Sequence, residues 1–106
     1  MKKCSFYRTI YGGVHKGAIL KKTEGFCEEL TDNNGNKFMM CYHKTSDGWI
    51  ATERSTGLRI CKDLTRAATS ERVKNTYLNL MFDKMKDLQK YADMIKEAEK
   101  ETKDET

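Results

Sequence analysis

The sequence predicts an α+β domain: an antiparallel meander of about five short strands followed by one long C-terminal α-helix. Three observations predict it. All seven glycines fall at or before Gly57, so turn signals crowd the first half of the chain and are missing from the second. Between those turns lie short runs rich in aromatic and β-branched residues, as strands require. From about Arg66 to about Lys100 neither glycine nor proline interrupts a helical pattern. The expected organisation is one structural domain, with residues 1–63 forming the sheet half and residues 64–106 the long helix and a frayed tail.

Ser5 to Tyr11 reads as the first strand, ended by Gly12 and Gly13. Ala18 to Lys22 and Phe26 to Leu30 are candidates for the second and third. Thr31 to Asn36 is the strongest turn signal, because Asn-Gly readily takes the positive φ of a tight hairpin. It joins Phe26–Leu30 to a strand over Lys37–Lys44. Ser46, Asp47 and Gly48 make the next turn, Trp49 to Glu53 the next strand, Ser55 to Gly57 another turn, and Leu58 to Lys62 the last strand. Asp63 or Thr65 then caps the helix by accepting hydrogen bonds from its first free amides, with Ser70 as a later alternative.

Within the helix Leu78, Met81, Met85, Leu88, Ala92 and Ile95 follow one another at spacings of three and four, a heptad seam. Val73, Tyr77 and Leu80, with Phe82 beside them, form a second stripe that leaves residues 77–82 apolar around most of the circumference. A straight helix from Arg66 to Lys100 would be about 50 Å long, against a radius of gyration of about 13 Å for a domain of this size. The expectation is therefore that the rod outruns its own domain and that the seam forms a short coiled coil in a homodimer.

Composition narrows the function. With 34% charged and 38% apolar residues, the chain reads as soluble and globular. No apolar run approaches the ~18 residues that span a bilayer, and Met1 to Arg8 lacks the apolar core of a secretory signal. The expected location is the cytoplasm, with no membrane partner. Cys4, Cys27, Cys41 and Cys61 form no Cys-x-x-Cys pair and are expected as free thiols on the buried sides of strands. Cys41 and His43 share a strand face and with Cys27 begin a metal-ligand set, but a fourth ligand is not apparent. No metal and no cofactor are expected.

A cysteine nucleophile with His15 or His43 as base has the ingredients without a recognisable setting. Paired carboxylates, a Gly-x-Ser-x-Gly elbow, a Walker loop and a His-Glu-x-x-His motif are missing from the sequence, so the chain is not expected to be an enzyme. The basic excess lies in the sheet half: residues 1–63 carry eleven Lys and Arg against seven Asp and Glu, and residues 64–106 carry nine of each. Arg8, His15, Lys16, Lys44, Arg54 and Arg59, interleaved with Tyr7, Tyr11, Tyr42 and Trp49, suit a nucleotide, a nucleic acid or an acidic protein surface. The candidate binding residues are Trp49, Arg54, Arg59, Lys44, Tyr42, His15 and Lys16. The glycine-rich loop Gly12 to Gly17 either turns its amides toward a phosphate or is a plain hairpin turn.

One segment carries a resemblance. Gly48-Trp49-Ile50-Ala51-Thr52-Glu53-Arg54-Ser55-Thr56-Gly57-Leu58-Arg59-Ile60, followed by Leu64-Thr65-Arg66-Ala67-Ala68, resembles a hairpin-then-helix element of small accessory proteins of phages and other mobile elements. It covers about a fifth of the chain. The resemblance implies a counter-defence inhibitor that blocks host immunity, by gripping a CRISPR nuclease (anti-CRISPR) or another immune component, or by sequestering a nucleotide signal. The basic charge argues against mimicry of a phosphate backbone. Two readings stay open: a protein-binding inhibitor, and a module that sequesters a nucleotide or nucleic acid.

Overall fold

The computed structural model describes residues 1–11 and 18–104. Five antiparallel strands lie in chain order in one sheet: β1 (Lys2–Tyr11), β2 (Ala18–Thr31), β3 (Lys37–Thr45), β4 (Gly48–Glu53) and β5 (Leu58–Asp63). A single helical run follows from Arg66, so the chain has the α+β class that its sequence predicts.

The two runs Ala18–Lys22 and Phe26–Leu30 are one strand, not two. Gly25 lies inside β2 because an added Cβ there would come within 2.0 Å of the Tyr42 carbonyl oxygen, the close backbone approach that a strand glycine permits. Along residues 18–27 β2 pairs with β1, and along residues 26–31 it pairs with β3. This offset lets the sheet curl. The far end of β1 returns to the turn between β4 and β5, where the Thr9 amide donates to the Gly57 carbonyl at 2.9 Å and the Thr9 hydroxyl to the Thr56 carbonyl at 2.7 Å. Gly57 has φ of +70°, and a Cβ there would meet Thr9 Oγ1 at 2.5 Å.

Two carboxylates, the buried Glu53 and the half-buried Glu28, organise the frame. Glu53 accepts from the amides and hydroxyls of both Ser55 and Thr56, at 2.7 to 3.1 Å. That clasp sets the turn that receives β1. Glu28 accepts from Tyr42 Oη at 2.5 Å and Ser70 Oγ at 2.6 Å, tying β2 and β3 to the helix. At the β2–β3 turn, Asp32 accepts from the amides of Asn34 and Asn36 and from Asn36 Nδ2. These bonds, the Asn36 side chain foremost, hold its carboxyl below the usual range.

The helical run comprises α1 (Arg66–Arg72), α2 (Met81–Met85) and α3 (Gln89–Asp104), joined by a π-helical turn (Val73–Tyr77) and two 3₁₀ turns (Leu78–Leu80, Lys86–Leu88). Thr65 is its cap, with Oγ1 accepting from the Ala68 amide at 3.0 Å. The run does not project. The longest dimension of the molecule is 35 Å, so a helical stretch of about 50 Å must bend. The irregular turns supply the bends: the π turn brings Val73 and Leu78, five residues apart, to the same side, and a 3₁₀ turn keeps Leu78 and Met81 there. Val73, Leu78 and Met81 join Phe38, Met40, Tyr42, Ala51 and Cys61 in one core.

The expected dimer seam is accordingly spent within the chain. Leu78, Met81, Ala92 and Ile95 are buried, and Met85 and Leu88 are half-buried. Its apolar spacing serves the chain's own sheet, which the curved run crosses from Trp49 to the β2–β3 turn and back to the β4–β5 turn. The second stripe is divided: Val73 is buried, Tyr77 is half-buried, and Leu80 and Phe82 are exposed.

Candidate anion site on the concave face

Alternation along the strands assigns side chains to two faces. The helix face carries Phe26, Glu28, Met40, Tyr42, Lys44, Trp49, Ala51 and Cys61. On the opposite face lie Cys4, Phe6, Arg8 and Ile10 of β1, with Cys27, Cys41, His43, Ile50 and Thr52 of the neighbouring strands. Phe6, Cys41, His43 and Thr52 on this face are all buried, and among the described residues no helical side chain lines its cavity. The sheet curls there, with β1 bonded back to the β4–β5 turn, so the face is concave.

Arg59 reaches the concave face through a bulge. Ala51 pairs with Cys61 and Thr52 with Arg59, which leaves Ile60 as the extra residue of β5. Ile60 and Cys61 both pack toward the helices, and Arg59 is turned to the side of Thr52. Arg8, Ile10, Ile50, Thr52, Leu58 and Arg59 then line a cavity of about 520 Å³ between β1 and the β4–β5 hairpin, within the range of small-ligand sites, roughly 300–1,000 Å³.

Its electrostatics are one-sided. Among the described residues Arg8, Lys21 and Arg59 have no carboxylate within ion-pair distance, and no acidic side chain lines the cavity. Arg8 Nε donates to Thr23 Oγ1 at 2.7 Å, which fixes the stem and leaves most of the guanidinium fork available. Beside these cations lie two buried polar atoms without a hydrogen-bond partner among the described residues, His43 Nδ1 and Thr52 Oγ1. His43 has its ring 6.1 Å from that of Phe6. Burial, and then the charges of Arg8, Arg59 and Lys21, push its pKa down to about 4, so the ring is neutral at pH 7. Unpaired cations around unsatisfied buried polar atoms make a site for an anion with hydrogen-bonding oxygens.

Of the residues expected to form a binding face, the structure brings Arg59 here together with Arg8. Arg54 stands apart, on the β4–β5 turn, 3.8 Å from Glu99 and with its amide bonded to the Met39 carbonyl. Tyr42 is no surface residue: it is fully buried beneath the helices. Lys44 and Trp49 lie on the helix face, where Arg66 stacks 4.2 Å over Phe26 and 5.7 Å from the Trp49 ring centroid. His15 and Lys16, with the loop Gly12 to Gly17, fall outside the described residues. Lys21 and Thr52 carry no signal in the sequence, since a lone lysine and a lone threonine on strands form no motif.

The cysteines depart from the expected free thiols. Cys4 and Cys27 form a disulfide, while Cys41 and Cys61 are free and buried. Desolvation pushes the Cys41 thiol up to about 12. No family model, curated protein or solved structure matches the chain.

Proposed function

We propose that the chain is a non-enzymatic binding protein of the phage counter-defence type, which acts by sequestering a small anionic ligand of nucleotide size on its concave face. The observation that carries the ligand class is the cavity that Arg8 and Arg59 line together with Thr52, both cations free of carboxylates among the described residues, next to a His43 that also feels the charge of Lys21. Guanidinium forks match phosphate oxygens in pairs. Ile10, Ile50 and Leu58 supply an apolar wall for the rest of such a ligand.

A single-stranded nucleic acid is less well served, because it needs aromatic platforms along a basic groove. Tyr42 and Trp49 lie on the other face of the sheet. The counter-defence role rests on the resemblance of residues 48–68 alone.

Titration calorimetry with a mononucleotide, a cyclic dinucleotide and a short single-stranded DNA tests the reading. A phosphate-bearing small ligand should bind, and Arg59→Glu should weaken it at least about tenfold, the effect of one lost charge-assisted bond, while Arg54→Glu leaves it unchanged. Binding that ignores Arg59, or that follows the DNA rather than the small ligands, overturns it.

A further inference from the structure

At the other end of the concave face, three neighbouring strands each contribute a cysteine. Cys27 and Cys41 are a directly opposed cross-strand pair of β2 and β3, and Cys4 stands opposite Gly25 on β1. The three sulfur atoms all lie within 4.8 Å of one another. Cys27 Sγ is bonded to Cys4 and lies 2.8 Å from Cys41 Sγ. Three thiolates around one ion occupy this kind of space, since metal–sulfur bonds of about 2.3 Å place the sulfurs roughly 4 Å apart.

We propose that, once the disulfide is reduced, Cys4, Cys27 and Cys41 bind one thiophilic monovalent cation of the copper(I) kind in three-sulfur coordination. Two equivalents of a small thiol, oxidised to their own disulfide, supply the two electrons and two protons that turn the Cys4–Cys27 bond into two thiols. Binding then forms three metal–sulfur bonds and releases three thiol protons to solvent.

The ligand set selects the ion. Zinc favours four ligands, and among the described residues no histidine, aspartate, glutamate or further cysteine joins the three sulfurs. Cys41 is fully buried and Cys27 nearly so, and only Cys4 is half-buried, so the side of the cluster away from Cys4 is closed to water. Soft thiolates with softer surroundings select copper(I) over harder ions. Met39 packs against the cluster, and Met1 and Met39 line the opening of about 560 Å³ through which Cys4 and Cys27 are reached. Lys2, Lys3 and Arg54 border the same opening, with Glu28 and Glu29 as their counterweight, and help to offset the net negative charge of three thiolates on a single positive ion. The fourth cysteine, Cys61, lies on the helix face and serves as an internal control.

The test uses the full chain, reduced and kept under inert gas, in competition for copper(I) with a chromophoric chelator. One ion per chain is expected, with three sulfur neighbours in X-ray absorption. Cys4→Ser should lower the affinity by at least about 100-fold, beyond what loss of a merely supporting group costs, and Cys61→Ala should leave it unchanged. Retained affinity in Cys4→Ser, a two-sulfur shell, or a fully reduced chain that takes up no copper overturns the proposal. Should Cys4→Ser fail to fold, the sulfur count on the unaltered chain decides alone. None of these outcomes depends on the anion site.

Discussion

The two faces of the sheet are buried by different means, and their chemistry differs accordingly. On the helix face Phe38, Met40, Tyr42 and Ala51 meet Val73, Leu78 and Met81. The carboxylates there are fully employed, Glu28 by Tyr42 and Ser70 and Glu53 by Ser55 and Thr56. On the concave face the described residues supply no second layer. His43 and Thr52 are buried there, and among the described residues their polar atoms lack partners, Arg8, Lys21 and Arg59 lack carboxylates, and three sulfurs cluster. A helix can supply partners for what it buries, whereas a sheet that covers itself cannot. Ligand chemistry is to be sought where burial has outrun hydrogen bonding.

The largest expected effect comes from attacking the layered face. Met85→Asp with Leu88→Asp places two unpaired charges where the helical run meets its own sheet, and about 4 kcal/mol or more of lost stability should abolish cooperative melting in circular dichroism. A folded monomer, in place of a wild-type dimer by light scattering, would instead return the seam to an interface between chains and break the comparison. Next is Glu53→Gln, which weakens four hydrogen bonds to a buried carboxylate. About 2–3 kcal/mol should be lost, lowering the Tm by about 10 °C or more, together with ligand binding, since the clasped turn receives β1.

Arg59→Glu should do the reverse, leaving stability within about 0.5 kcal/mol while removing the ligand. A large fall in Tm would mean that Arg59 is structural and that the concave face holds itself together as the helix face does.

The strands and the helical half were legible because both rest on local signals, glycine turns and apolar spacing. What those signals leave open is the cover. The stripe from Leu78 to Ile95 is the same whether a twin or a bent return onto the sheet hides it, and the bend is made by π and 3₁₀ turns that neither glycine nor proline marks. Gly25 reads as a break between strands because its cause, the Tyr42 carbonyl, is seventeen residues away. Arg54 and Arg59 look equivalent in sequence, yet the bulge at Ile60 puts Arg59 into the anion cavity, whereas Arg54 borders the sulfur end of the sheet and pairs with Glu99. The cysteines form no motif because Cys4 and Cys27 stand 23 residues apart and Cys27 and Cys41 stand 14 apart. Register, not spacing, makes them neighbours.

The smallest effect reads the concave face most directly. His43 has its pKa pushed down to about 4 by burial and by Arg8, Arg59 and Lys21, below the usual value of 6.5. The folded chain therefore binds fewer protons there than the unfolded chain between those two values. The contribution of this group to stability is complete above pH 6.5 and falls as the pH drops toward 4. The difference in Tm between the native chain and His43→Phe, followed across that window, isolates the contribution from the acid titration of the carboxylates. Nuclear magnetic resonance adds a second readout. Arg59→Gln removes one of the repelling charges and should raise the His43 pKa, and a phosphate-bearing ligand seated among the cations should raise it too. A midpoint that answers to Arg59→Gln but not to the ligand would show that the cations reach His43 and that the anion does not sit among them, which separates the electrostatics of the face from its proposed use.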